Sequence, residues 1–182
     1  MRTLFLPNVT RAVTAFAPDK PVIIGETSSF WGGGLANVSN RFASGLWLLG
    51  ELGEVGLAEG HRGMIRQDLV GGDYPLLDFV GGAAHPVVPL QYSPNPDYFT
   101  TALLQRVVGE SAMARPQLRS SASGSDAAGQ VRDYESEHVR AYAFSAKNTP
   151  LWGANSTALL LLNLRPTGPA SLRFRCDGSV CG

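Results

Sequence analysis

The 182-residue chain has no excess of charge in either direction: fifteen Lys and Arg balance fifteen Asp and Glu. It therefore gives no electrostatic reason to expect nucleic acid or an acidic surface as a partner, since those are met by basic patches. Long apolar runs are missing as well. None approaches the roughly 18–20 residues that cross a bilayer, so no transmembrane segment is expected. The opening MRTLFLPNVTRAV has a single short apolar run, Leu4 to Leu6, and no clear small-residue cleavage site. No export signal is expected there. Cysteine is scarce. Cys176 and Cys181 bracket a turn around Asp177-Gly178, a spacing that fits either a small disulfide loop or two free thiols. Without a second Cys or His pair it does not make a zinc site. His61, His85 and His138 are scattered with no ligand-like spacing. No metal and no cofactor is expected.

What remains is the composition of an ordinary globular protein, 44% hydrophobic and 16% charged. Asn8-Val-Thr10, Asn37-Val-Ser39 and Asn155-Ser-Thr157 are glycosylation sequons. Such triplets arise by chance about once per hundred-odd residues, so they hint only mildly at a secretory route.

Periodicity divides the chain in two. In residues 1–18, Leu4, Leu6, Val9, Val13 and Phe16 fall at helical spacing, with Pro7 weakening the first turn. Val22-Ile23-Ile24-Gly25-Glu26 is a β-branched run without polar alternation, and predicts a parallel-sheet strand buried on both faces. After a Gly- and Ser-rich loop, Ser39 or Asn40 is placed to cap a helix. Phe42, Ala43, Leu46, Leu49 and Leu52 form its apolar face, and Gly53 and Gly56 end it. Gly63–Val70 reads as a second strand. Asn95-Pro96-Asp97 opens another helix, with a cap, a first-turn proline and an acid near the positive end of the dipole. It runs to about Gly109. Helix, strand, helix, strand, helix is the grammar of a parallel βα fold, yet two strands close no barrel. The stretch SSASGSDAAGQ is polar and small, a loop or linker. Beyond it Val139–Lys147, Ala158–Leu164 and Ser171–Cys176 favour strands. The expected organisation is α/β followed by all-β: 1–119, a linker 120–138, and 139–182.

The residue placed best for chemistry is Glu26. A carboxylate at the C-terminal end of a parallel strand stands on the face where (β/α) barrels carry their active sites. The loop beyond it holds Gly32, Gly33 and Gly34, whose backbone admits a close ligand and whose amides suit a carboxylate. On the residues alone, a surface Glu and a flexible turn are the competing interpretation.

KPVIIGETSSFWGGG resembles the nucleophile segment of the heparanase family, glycoside hydrolase family 79. SNRFASGLWLLGELG resembles its following helix, MIRQDLVGGDYPLLD its last barrel strand, and NPDYFTTALLQRVVG the helix after that. The four segments keep the family's order over residues 3–110. The resemblance implies the C-terminal part of a (β/α)8 TIM barrel followed by an incomplete β-sandwich. It implies a retaining β-glucuronidase in which Glu26 attacks the anomeric carbon of a β-linked glucuronic acid, while a second carboxyl about 5 Å away acts as acid and then base. By position, Gly32 and Gly33 match glycines that meet the uronate carboxylate, Tyr74 a tyrosine bonded to the same group, and Gln67 a glutamine lining the sugar. Trp31 replaces a tyrosine, and Asp73 an asparagine. The family's acid/base follows an asparagine upstream of the nucleophile, and the chain offers no match. The expectation is therefore a chain that is inactive by itself. Its expected partner is a glucuronic-acid-containing glycan or glucuronide, and the full-length protein is expected to be secreted, lysosomal or membrane-associated. The alternatives are a non-catalytic carbohydrate-binding protein and a truncated gene fragment.

Overall fold

The computed structural model describes residues 5–80, 91–114, 139–147, 150, 153 and 156–164. Its first helix, α1, is Phe5–Phe16. Strand β1 (Val22–Thr27) leads through the glycine loop to helix α2 (Phe42–Leu57), which returns the chain to strand β2 (His61–Arg66). β1 and β2 pair in parallel, Ile24 opposite Met64 and Thr27 opposite Arg66, with an irregularity between Ile24 and Thr27 where Glu26 stands. This is the predicted βαβ unit, although β2 stops at Arg66 rather than Val70. The backbone then enters the segment that carries Gln67 and Tyr74.

Two short strands follow, β3 (Leu77–Val80) and β4 (Gln91–Pro94), paired antiparallel. Helix α3 (Pro96–Val107) comes next. It passes directly into β5 (Val108–Ala114), which pairs with β6 (Val139–Ala146), and β6 pairs with β7 (Thr157–Asn163). The result is a mixed α/β chain with three helices and small sheets, and no closed barrel among the described residues. The strand expected at Ser171–Cys176, and the two cysteines, lie outside the described residues.

The core lies between α2 and the β5–β6–β7 sheet. Tyr142, Phe144 and Leu162 are buried there, with Leu46, Leu49 and Leu57 of α2 packed against them. The approach is close because α2 presents glycine. A Cβ on Gly53 would stand 2.4 Å from the Tyr142 ring, and one on Gly50 would stand 3.1 Å from the Arg140 guanidinium. Gly53 therefore does not end the helix as its sequence context suggests. It lies inside it and makes room for a tyrosine, a packing requirement that outweighs its poor helix propensity. On another side of α2, a Cβ on Gly45 would meet the Thr100 hydroxyl of α3 at 2.9 Å.

Two other local expectations are corrected. The residue at the N-cap of α2 is Arg41, with no side-chain cap; the Ser39 hydroxyl instead accepts a bond from the Leu35 amide at 3.0 Å, closing the turn before the helix. And β1 is not buried on both faces. By alternation Ile23, Gly63 and Ile65 share one face of the two-stranded sheet, and Ile23 and Ile65 are 58% and 59% exposed. A β-branched run specifies a strand; burial depends on neighbours that its sequence does not contain.

Candidate active site

The candidate site is built where β1 and β2 end side by side. The Gln67 amide donates to the Thr27 carbonyl at 2.9 Å, which carries the pairing one step past the strands. Glu26 is exposed, one residue before that tie. It lines a cleft of about 540 Å³ together with Ile24, Thr27 and Ser28 of its own segment, Trp47 and Glu51 of α2, and Arg140 of β6.

Beyond β1 the backbone needs the left-handed region three times running, with φ of +68°, +99° and +106° at Gly32, Gly33 and Gly34. Glycine is the residue that adopts this without strain. The loop is held against the Gly72–Tyr74 segment. The Asp73 amide donates to the Gly33 carbonyl, and a Cβ on Gly34 would meet Asp73 and the Tyr74 ring at about 3 Å. On the opposite side of the contact, a Cβ on Gly72 would strike the Gly33 carbonyl oxygen at 2.5 Å. Two glycine-rich stretches, far apart in sequence, thus meet backbone to backbone. The Tyr74 hydroxyl in turn donates to Gln67 Oε1 at 3.0 Å.

Four of the expected residues are therefore brought into one neighbourhood: Gly32, Gly33, Gln67 and Tyr74. Tyr74 is buried and its hydroxyl is oriented by Gln67. Glu26 is on the adjoining strand end, and the cleft it lines is walled by α2 rather than by those four. Trp31 is not packed into either, being 85% exposed. Among the described residues no group of three or more His, Cys, Asp or Glu is arranged to hold a metal, and no helix is long and apolar enough to cross a membrane.

Residue-type reasoning missed Arg66 and Asp97. Arg66, the last residue of β2, has a side chain 9% exposed, and its Nη2 lies 2.6 Å from Asp97 Oδ2 in the first turn of α3. The same nitrogen donates to the Tyr74 carbonyl at 2.7 Å, and Nη1 donates to Ser28 Oγ at 3.0 Å. The guanidinium carbon lies 5.5 Å from the ring centroids of both Trp47 and Tyr74, a cation–π distance. Asp97 is fully buried and also accepts from the Ser44 hydroxyl of α2 at 3.2 Å. In sequence Asp97 reads as a dipole-facing acid; its partner is three segments away. Asn95 likewise stands at the N-cap of α3 without capping it, its Nδ2 donating to the Pro75 carbonyl at 2.8 Å. Trp47 of α2 is only half-buried, between Arg66 and the cleft.

No family model matches the chain. Similar curated proteins exist. Heparanase of Bos taurus is 36% identical over 104 residues, which is 57% of this chain and 17% of that protein. Baicalin-beta-D-glucuronidase of Scutellaria baicalensis is 30% identical over 159 residues, 87% of this chain and 24% of that protein. Hyaluronoglucuronidase of Hirudo nipponia is 36% identical over 91 residues, 50% of this chain and 16% of that protein. The chain thus spans about a quarter or less of the length of the relatives it matches.

Proposed function

The chain is related to the heparanase-like glycosidases of glycoside hydrolase family 79, and from that kinship we propose that it is the nucleophile-bearing, uronate-recognising segment of a retaining β-glucuronidase. In this reading β1 and β2 are neighbouring strands of a (β/α)8 barrel that more polypeptide completes, and β5–β7 belong to an appended β-sandwich. The Gly32–Gly34 loop and Tyr74 receive the carboxylate of a glucuronic acid residue, and Gln67 holds the Tyr74 hydroxyl in position. Ionised Glu26 attacks the anomeric carbon, forming a glycosyl ester that water then cleaves. The acid that protonates the departing oxygen, and later activates that water, is a second carboxyl.

The observation that carries the reading is the backbone-to-backbone seat of the glycine loop on Gly72–Tyr74, at the strand end that presents Glu26. A loop of three glycines at positive φ, hydrogen-bonded to a neighbouring segment, is held in place rather than slack, and successive amides in turns suit an anion. No Asn-Glu dipeptide occurs in the chain, so the family's acid/base pattern has no counterpart, and the chain by itself binds without turning over. General acid catalysis contributes roughly 10²–10⁴-fold.

Titration with sodium D-glucuronate, followed by amide NMR, tests this. The signals of Gly32, Gly33 and Tyr74 are expected to move with glucuronate and to stay still with D-glucose, which lacks the carboxylate. An aryl β-glucuronide is expected to remain intact. Equal response to both sugars, or to neither, would remove the uronate assignment. Turnover that disappears in Glu26→Gln would show that the acid lies within this chain after all.

A further inference from the structure

The nucleophile strand and the uronate-binding segment are separate pieces of backbone, and catalysis requires their spacing to be fixed within a fraction of an ångström. One side chain touches both. Arg66 Nη1 holds Ser28, two residues past Glu26, at 3.0 Å; Nη2 holds the Tyr74 carbonyl at 2.7 Å. We propose that Arg66 is the positioning residue of this site, the strut that sets the distance between the Glu26 segment and Tyr74. The inference rests on the site assigned above and adds a residue that acts on it through others.

Three features separate a strut from an ordinary buried ion pair. First, the charge is already answered: Asp97, itself fully buried, takes Nη2 at 2.6 Å. Arg66 is thus not the cation that meets the substrate carboxylate. Second, the guanidinium has its carbon 5.5 Å from the ring centroids of both Trp47 from α2 and Tyr74 from the binding segment. Its donors are fixed in direction as well as in place. Third, the anchor is deep. Asp97 connects the guanidinium to α3 and, through the Ser44 hydroxyl, to α2, so the strut is braced by the two helices behind the strand ends. A planar fork with donors on both amino nitrogens spans Ser28 and Tyr74 at once. A lysine ammonium keeps the charge for Asp97 but is a point donor on a flexible stem.

The test uses the whole chain and two readouts. In Arg66→Lys, the affinity for sodium D-glucuronate is expected to fall about tenfold, the lower end of what is lost when the hydrogen-bond partners that orient metal-ligating side chains are removed. Without ligand, the amide signals of Ser28 and Tyr74 are expected to broaden by exchange while those of β6 and β7 stay sharp. Ser28→Ala, which removes one arm and leaves the buried pair intact, is expected to broaden Ser28 and its neighbours alone. It decides the matter if Arg66→Lys does not fold. Sharp Ser28 and Tyr74 signals with unchanged affinity in the folded variants would overturn the proposal, as would broadening spread evenly through β5–β7, which marks general destabilisation. If the unaltered chain fails to bind glucuronate, the functional reading falls, and the ligand-free spectra still decide whether Arg66 fixes the two segments.

Discussion

Helix α2 serves two sheets, and they are covered to different degrees. Against β5–β6–β7 it buries Tyr142 to 1% exposure and Leu162 to 2%, with its own glycines drawn up to the tyrosine ring and to Arg140. The β1–β2 pair has α2 on one side and leaves Ile23 and Ile65 more than half exposed on the other. The residues proposed for the site, Glu26, Gly32, Gly33, Gln67 and Tyr74, lie on the second, open sheet and its loops, whereas the buried cluster of Tyr142, Phe144 and Leu162 belongs to the first. Parallel sheets ordinarily have both faces covered. The difference teaches that cohesion and the proposed site are separable in this chain, and that similar substitutions should have unequal consequences in the two places.

The largest contrast is expected from truncating one aliphatic residue on each sheet. Leu162→Ala removes a side chain from the closed core and should cost about 2–5 kcal/mol. Ile65→Ala trims a side chain that is already 59% exposed and should change stability by no more than about 0.5 kcal/mol. Urea unfolding of the two variants measures both. Equal losses would mean that the Ile65 face is covered in solution, by a second copy or by another part of the chain, and the comparison would collapse.

A second contrast lies within α2 itself. Gly53→Ala ought to help a helix by its propensity. Here the added Cβ lands 2.4 Å from the Tyr142 ring, so the expected result is a loss of about 1–3 kcal/mol from overpacking. Gly56, exposed on the same helix, is the control. Gly56→Ala should gain up to about 1 kcal/mol. Opposite signs for two glycines three residues apart would establish that Gly53 is a seat for Tyr142; gains at both would refute it.

This divided architecture also explains what was legible in the sequence. Elements carried by a local pattern were: β1 from its Val-Ile-Ile run, α2 and α3 from helical spacing, β6 and β7 from alternating or branched residues. The residues proposed for the site were named by motif likeness alone, and the glycine loop was legible because positive φ leaves a composition signature. What depended on a distant partner was not. β3 and β4 are four-residue strands that exist by pairing with each other, and β5, whose GESAMA is poor in strand formers, owes its conformation to β6. Asp97 read as a first-turn acid facing the helix dipole and Arg66 only as part of a strand motif, since nothing within their own helix or strand announces a buried pair 31 residues apart in sequence. Exposure of β1 was misread for the same reason.

The smallest contrast expected at neutral pH concerns the Tyr142 phenol, in the seam between α2 and the β5–β6–β7 sheet. Tyr142 donates to Glu54 Oε1 at 2.9 Å. Burial, reinforced by the neighbouring Glu54 carboxylate, pushes its pKa from 10.0 up to about 12. An acid whose pKa is raised on folding favours its protonated form in the native state. The stabilisation is thus complete below the unfolded value near 10 and is lost as the pH climbs through about 12. Tyr142→Phe keeps the ring against Gly53 and removes only the hydroxyl, so at pH 7 it should cost about 1 kcal/mol for the lost hydrogen bond. Its stability should then be flat where that of the unaltered chain declines, and the gap between them should narrow from pH 10 to 12. Substitutions on the open sheet, such as Ile65→Ala, should leave the alkaline decline in place. If Tyr142→Phe and the unaltered chain lose stability in parallel across that window, the titrating group lies elsewhere and the seam is not where the chain's alkaline limit is set.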